Sequence, residues 1–248
     1  LAARLDGLQP RERAIMERAS IAGREFSRNA VVELSPSDQQ SDAGGVLMTL
    51  VRKELIQPFR SMFPDDDGFR FRHDLIRDAA SRRLPKEDRA RLHKGHADWL
   101  ELAADRSTEL DELIAYHLES ALRYLGELGR SGEAIDALAA RAGERLAAAG
   151  RRAMHVRGDL SGGINLLTRA ASVLPEHHPT RRAILPELGS ALMRAGDLDR
   201  AENVLTAALE AASAAGDRRL ELRVMIEREF FREFTRPEGS VEEILDVT

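Results

Sequence analysis

A repeat constrains this chain more than any other feature of its sequence. Gly158-Asp159-Leu160 recurs as Gly196-Asp197-Leu198, 38 positions later (196 − 158), and the register holds through Asn165/Asn203, Leu167/Leu205, Thr168/Thr206 and Ala170/Ala208. A period in the mid-thirties, with a Gly-Asp turn between two helical patterns, describes helical hairpins stacked in a row. Each hairpin buries against its neighbour a face that it cannot bury alone. The predicted fold class is therefore mainly α. The 4% aromatic content fits this, because Ala and Leu supply most of the apolar groups in this half of the chain.

The first hundred residues have another plan. Helical patterns run over about 10–21, 28–34 and 42–53, the last turning Val46, Leu47, Leu50 and Val51 inward. Pro10 suits a first helical turn, Gly23 a helix end, and Ser35-Pro36-Ser37-Asp38 a polar break. Two short extended runs at 55–59 and 69–72 flank a loop at 61–68 rich in turn residues. Three helices and then a β-hairpin is the winged-helix order. A helix over 74–84 then stops before Pro85. Further helices are predicted at 86–103, 109–126 and 132–157, with breaks at 105–108 and 129–132.

Charge divides along the same line. Residues 1–100 hold 18 basic and 16 acidic side chains, net +2, and the remainder holds 19 and 26, net −7, which together give −5. Such a balance excludes a basic coat for nucleic acid. The absence of Cys removes disulfides, thiol catalysis and Cys-based zinc sites, and fits a reducing cytoplasm. No run approaches roughly 18 apolar residues, so no membrane-spanning helix is expected. The chain begins at Leu1 rather than Met, which leads us to expect a piece of a longer protein.

The repeat resembles the tetratricopeptide (TPR) family. Leu185, Leu188-Gly189, Leu192, Ala201, Leu205 and Ala208 fall in that family's spacing. In the preceding unit Gly163, Leu167, Ala170 and Pro175 fit the second half, while Gly150-Arg151 stands where Leu-Gly belongs. The resemblance places units at 180–215 and 144–176, with a further hairpin starting near Asp217. It implies packing and a concave groove for a peptide or partner protein, and no chemistry. The resulting division is a winged-helix-like domain over 1–84, a helical connector over 85–130 and TPR-like repeats over 131–248.

The segment Phe69-Arg70-Phe71-Arg72-His73-Asp74-Leu75-Ile76-Arg77-Asp78-Ala79-Ala80 resembles the Met-His-Asp motif that closes the winged-helix domain of STAND-type signalling ATPases. More broadly, residues 1–125 resemble the region after the ATPase core in large bacterial regulators of that class, often joined to a class III nucleotide cyclase or a DNA-binding output domain. The resemblance implies that His73 reaches a phosphate of bound ADP, with help from nearby helix N–H groups. Asp74 would cap the helix or orient the backbone. The alternative is that the His-Asp pair merely caps a helix, with the ring packed against its neighbours.

Other chemistry is thin. There is no Gly-x-x-x-x-Gly-Lys-Ser/Thr loop, and the only lysines are Lys53, Lys86 and Lys94, so ADP or ATP is expected in a longer protein and no cofactor in this chain. No Gly-x-Ser-x-Gly elbow or dinucleotide fingerprint is present, and no enzyme is expected. His93 and His96 share a helix face and His177-His178 are adjacent, but neither pair has a third ligand at metal spacing, and we expect solvated histidines. Asp65-Asp66-Asp67-Gly68 lacks the ligand spacing of a calcium loop and reads as a solvated hairpin tip. Residues 70–94 hold nine basic and four acidic groups, yet the third helix carries only Arg52 and Lys53, too sparse for major-groove docking.

The expected function is a non-catalytic regulatory region that couples nucleotide state to a protein-binding surface. Its expected partners are a protein on the repeats and an ATPase core. A plain TPR adaptor and a winged-helix DNA-binding regulator are the alternatives.

Overall fold

In a computed structural model, residues 5–103 and 110–235 are described, with side chains to 230. The break expected at 105–108 and the ends of the chain lie outside the described residues. Among the described residues the fold is mainly α with one small sheet, and the chain forms two compact units, Leu1–Ala142 and Gly143–Thr248.

The first unit opens with α1 (Pro10–Ala22). Gln9 caps it reciprocally with Glu12, whose Oε2 accepts from the Gln9 N–H at 2.8 Å, and Pro10 occupies the first turn. Ile15, Met16, Ala19 and Ala22 are buried. The chain then enters β1 (Glu25–Ser27), a strand that the sequence pattern does not announce because three residues are too few to show alternation. Helices α2 (Arg28–Glu33) and α3 (Ser37–Gln40) come next, the latter where a polar turn was expected. Helix α4 (Ala43–Arg52) buries Ala43, Leu47 and Leu50, while Val46 and Val51 pack at the core's edge.

β2 (Ile56–Phe59) and β3 (Gly68–Phe71) form the expected hairpin. β3 is central in a three-stranded antiparallel sheet of order β1-β3-β2. Its register sets Phe69 opposite Phe26 and Phe71 opposite Ile56. The rings of Phe26, Phe69 and Phe71 meet at centroid distances of 5.4 and 5.9 Å and join the buried core with Leu47, Leu50 and Ile76. The hairpin tip is tied down rather than freely solvated. The Arg28 N–H donates to the Asp67 carbonyl at 2.8 Å, and the Asn29 N–H donates to the Asp66 carboxylate at 3.2 Å. Both bonds fix the start of α2.

Helix α5 (Asp74–Arg83) turns Ile76 and Ala80 into the core and packs along α1. Helices α6 (Lys86–Ala103) and α7 (Asp111–Glu127) form a long hairpin. Lys86 pairs with Glu127 at 2.9 Å, and Arg141 reaches Asp98 and Glu101 at 2.8 Å each.

The boundary between units falls within α8 (Glu133–His155). The second unit continues with α9 (Leu160–Val173), α10 (Pro179–Arg194), α11 (Leu198–Ala214) and α12 (Arg218–Thr235). Gly158, Gly196 and Gly216 each adopt positive φ, +68°, +78° and +66°, at the turns that separate paired helices. A third Gly-Asp turn, Gly216-Asp217, leads into α12; a second helix of the expected further hairpin lies outside the described residues.

Glycine also sets how closely paired helices approach. A Cβ on Gly189 would lie 2.5 Å from Leu205 Cδ2, and one on Gly150 would lie 3.0 Å from Leu167. Leu167 and Leu205 are repeat equivalents, so one contact is made twice. Gly150 therefore does occupy the small-residue position of the family pattern, which corrects the expected departure. The offset arises in the turn: the Asp197 N–H bonds the Leu192 carbonyl five residues back, whereas the Asp159 N–H reaches six back to Ala153. One extra residue sits in the first turn.

Gly189→Ala should lower stability by about 1–3 kcal/mol through overpacking against fully buried Leu205. Gly150→Ala, with its looser contact, should be closer to neutral because the helix-propensity gain of about 1 kcal/mol offsets the strain. Urea denaturation of the two variants should give that order.

Candidate functional site

The predicted site residues lie where the central strand hands over to a helix. β3 ends at Phe71, whose N–H donates to the Arg24 carbonyl, and the Arg72 N–H donates to the Leu55 carbonyl at 3.1 Å. The backbone is thus held from both neighbouring strands up to the residue before His73. His73 takes extended dihedrals and is the N-cap residue of α5, its carbonyl accepting from the Ile76 N–H at 3.0 Å. Asp74, expected at the cap, is instead the first residue of the helix.

The His73 ring does not cap the helix: it is exposed, and among the described residues no side chain bonds the first turn. The forward N–H groups of α5 therefore lack a side-chain acceptor, the arrangement that attracts an anion to a helix N-terminus. His73, Asp74 and Leu75 line an open hollow with Arg24 and Arg72. Asp74 lies 3.5 Å from Arg24, and Arg72 lies 3.8 Å from Glu54; all four side chains are about half exposed, so neither pair locks the corner. Leu75 is 64% exposed beside them, while Ile76 and Ala80 anchor the same helix inward.

Most of the basic groups over 70–94 are occupied by the protein itself. Arg77 bonds Asp78, Arg83 bonds Asp6, Arg91 bonds Asp88 and Lys94 bonds Asp98, and Arg70 lies over the Phe59 ring at 4.7 Å. On α4, Lys53 turns back to Glu12 at 2.6 Å and Arg52 donates to Thr49 at 2.8 Å.

The helix histidines differ from expectation. His93 and His96 are buried rather than solvated, and with His117 of α7 they form a cluster inside the α6–α7 hairpin. The Nδ1 atoms of His93 and His117 are 2.9 Å apart, one donating to the other, and the His96 ring meets His117 edge-on at 4.5 Å. His96 stacks on Trp99, and His93 on Tyr124. Burial pushes His93 down to about 4, helped by the Arg123 and Arg89 cations, and His96 down to about 3; His117 is lowered for the same reason of burial, with its two neighbours adding to it. The rings are therefore neutral near pH 7. Among the described residues no three His, Asp or Glu side chains converge as metal ligands would. Of the other pair, His178 caps α10 by accepting from the Thr180 N–H at 3.2 Å.

For the groove that the repeat resemblance implies, sequence reasoning named no residues. A groove of about 500 Å³ is lined by Met154 and His155 of α8, Glu187, Ser190, Met193 and Arg194 of α10, and Arg223, Glu227 and Phe230 of α12. α8 and α10 are the first helices of successive hairpins, and the 39-residue spacing of Met154/Met193 and His155/Arg194 (193 − 154 and 194 − 155) relates them. Two polar links brace the floor: Arg151 to Glu187 at 2.8 and 3.1 Å, and the Ser190 hydroxyl to Glu227 at 2.6 Å. Both carboxylates are thereby engaged. Arg151 neutralises Glu187, the Ser190 hydroxyl leaves the Glu227 charge in place, and Arg194 and Arg223 make no ion pair among the described residues, so the lining keeps a net positive charge.

No protein-family model matches the chain, and no curated protein matches it. Among solved structures it is similar to a Signal Transduction ATPase with Numerous Domains (STAND) protein with a tetratricopeptide repeat sensor from Pyrococcus horikoshii, at 18% identity and a TM-score of 0.40. The match covers 94% of this chain and 36% of that one, so the chain spans little more than a third of that protein's length. Among the described residues, no helix is long and apolar enough to cross a membrane.

The histidine cluster yields a pH signature. A ring held neutral in the fold but titrating near 6.5 when unfolded leaves stability intact above 6.5 and removes it as pH falls below that value. At pH 5.5 each ring contributes a loss of about 1.4 kcal/mol, or about 4 kcal/mol for three. Urea midpoints at pH 7.5 and 5.5 should show this fall, and His117→Leu should remove about a third of it.

Proposed function

We propose that this chain is a non-catalytic regulatory region: the corner at His73 senses the phosphate of a nucleotide held by an ATPase core, and the repeats engage a protein partner. One observation carries the first half. An exposed His73 ring, bonded to none of the described residues, stands at a helix N-terminus that no described side chain caps, on a backbone fixed by strand pairing, with Arg24 and Arg72 beside it. Each component favours an anion: the helix end by its dipole and free N–H groups, and the ring and guanidiniums as donors. Exposed Leu75 supplies an apolar contact for the domain that brings the anion. This reading agrees with the sequence resemblance of residues 69–80 to the STAND motif, which implies ADP in the closed state and a shift on exchange for ATP.

The groove favours the second half. Met154, Met193 and Phe230 offer adaptable apolar contact, and Arg194 and Arg223 select negative charge, so the partner segment is an extended or helical peptide of mixed apolar and acidic character. Within a chain whose residues beyond 100 carry net −7, a positive groove is a local departure that steers such a segment. DNA reading is disfavoured, since the cations of α4 and most of those over 70–94 are held by intramolecular partners.

In a protein that carries this chain behind its ATPase core, His73→Ala should weaken ADP retention at least about tenfold, a loss of about 1.4 kcal/mol, and raise basal output. Unchanged ADP affinity together with unchanged output refutes the sensing role. For the groove, the double change Arg194→Glu, Arg223→Glu should weaken capture of acidic-apolar peptides from a displayed library by about tenfold or more while leaving the helical circular dichroism intact.

A further inference from the structure

Within the first unit a second cavity, of about 300 Å³, opens where the β-hairpin loop meets the α6–α7 hairpin. Its wall is aromatic: Phe26 of β1, Phe63 of the loop, Phe69 of β3 and Trp99 of α6, closed by Leu100 and Leu113. Phe63 meets Trp99 edge-on at 4.8 Å, so the loop is docked onto α6 and the cavity has a built rim. Protein interiors leave few voids larger than a water molecule, and roughly ten times a water's share of liquid volume is here bounded by ring faces that hydrate poorly. The size lies at the small end of ligand pockets.

Polar groups in the wall narrow the occupant. His96 is 3% exposed, lines the cavity, and its Nδ1 has no hydrogen-bond partner. At the rim, Arg24 is engaged with Asp74, while Glu25 and Arg60 make no ion pair among the described residues. The Arg60 guanidinium is thus the cation at the mouth without a partner, with the Glu25 carboxylate on the same rim.

We infer that this cavity binds a small aromatic carboxylate, its ring between Phe63, Phe69 and Trp99 and its carboxylate at Arg60. Flat rings suit the aromatic walls by offset and edge contacts, and a guanidinium fork suits a carboxylate. A polar substituent on the ring would meet neutral His96, which can donate or accept through a ring nitrogen. The site is separate from the peptide groove and from the corner at His73, though Arg24 lines both the cavity and the corner.

The test uses 2-naphthoate as the probe, with 2-naphthol and cyclohexanecarboxylate as comparison compounds lacking the charge and the ring face. Calorimetry should show one 2-naphthoate site per chain, with the other two bound at least about tenfold more weakly. Trp99 is the only tryptophan, so the single indole N–H resonance of the protein should shift with the same saturation curve. Arg60→Gln, at an exposed loop position, should abolish the preference for naphthoate over naphthol, and Phe63→Leu should weaken both aromatic probes by about threefold or more. No saturable binding up to about 1 mM overturns the proposal. So does binding that leaves the indole resonance in place, or binding that both variants, folded by circular dichroism, leave unchanged.

Discussion

Strand β3 is the constraint on which the first unit depends. It is paired on both edges, so its register cannot slip without breaking two ladders. A one-residue slip would exchange the faces of Phe69 and Phe71 with those of Arg70 and Arg72, removing two core rings and burying two guanidiniums. The same lock determines the geometry just beyond the strand. Phe71 and Arg72 are tied to Arg24 and Leu55 by backbone bonds, and the helix begins two residues later. His73 is therefore presented at a fixed height above the sheet, exposed because its neighbours Phe71 and Ile76 take the inward positions. Function at this corner would rest on backbone geometry more than on any side-chain contact of His73.

In the second unit the equivalent constraint is the absence of side chains. Gly150 and Gly189 let Leu167 and Leu205 sit against the facing helix backbone, which sets the spacing of each hairpin. Positive-φ glycines then reverse the chain. Because packing is settled by glycine, alanine and leucine on the inner faces, the first-helix surfaces are free to carry Met, Arg, Glu and Ser. Two of those polar positions brace helix to helix through Arg151–Glu187 and Ser190–Glu227, and the rest face the groove. Recognition can vary there without disturbing the stack.

How much of this was legible depended on the range of the interaction. Helices α1, α4 and α9–α11 announce themselves because their burial stripe is written at local spacing, and the hairpin because turn residues separate two β-rich runs. The His73 corner was legible for the same reason, as the junction of a strand pattern and a helix pattern. Strand β1 was not, since it exists only through pairing with β3, and neither was the fate of His93 and His96. Two histidines three apart look alike on a solvated or a buried face; what buries them is α7, with His117 arriving 21 positions after His96 (117 − 96). The extra residue in the first repeat turn shifted Gly150 by one against its equivalent, and only the contact to Leu167 restored the match. The aromatic cavity draws on α1, β1, the hairpin loop, β3, α6 and α7, a combination that no local pattern encodes.

Arg24 connects the two sites of the first unit. Its carbonyl accepts from the Phe71 N–H, its guanidinium faces Asp74, and its side chain lines both the open corner and the aromatic cavity. The Arg24–Asp74 pair is half exposed and 3.5 Å apart, so it is weak enough to be exchanged. A carboxylate held by Arg60 would lie at a mouth that Arg24 also lines and would compete with Asp74 for the Arg24 guanidinium, leaving Asp74 less compensated at the first turn of α5, where an anion at His73 would meet its charge. The two ligands would then oppose one another through one side chain without any shift of the sheet. Linkage requires that opposition to be reciprocal: whatever weakens the anion at the corner must weaken the carboxylate in the cavity by the same factor.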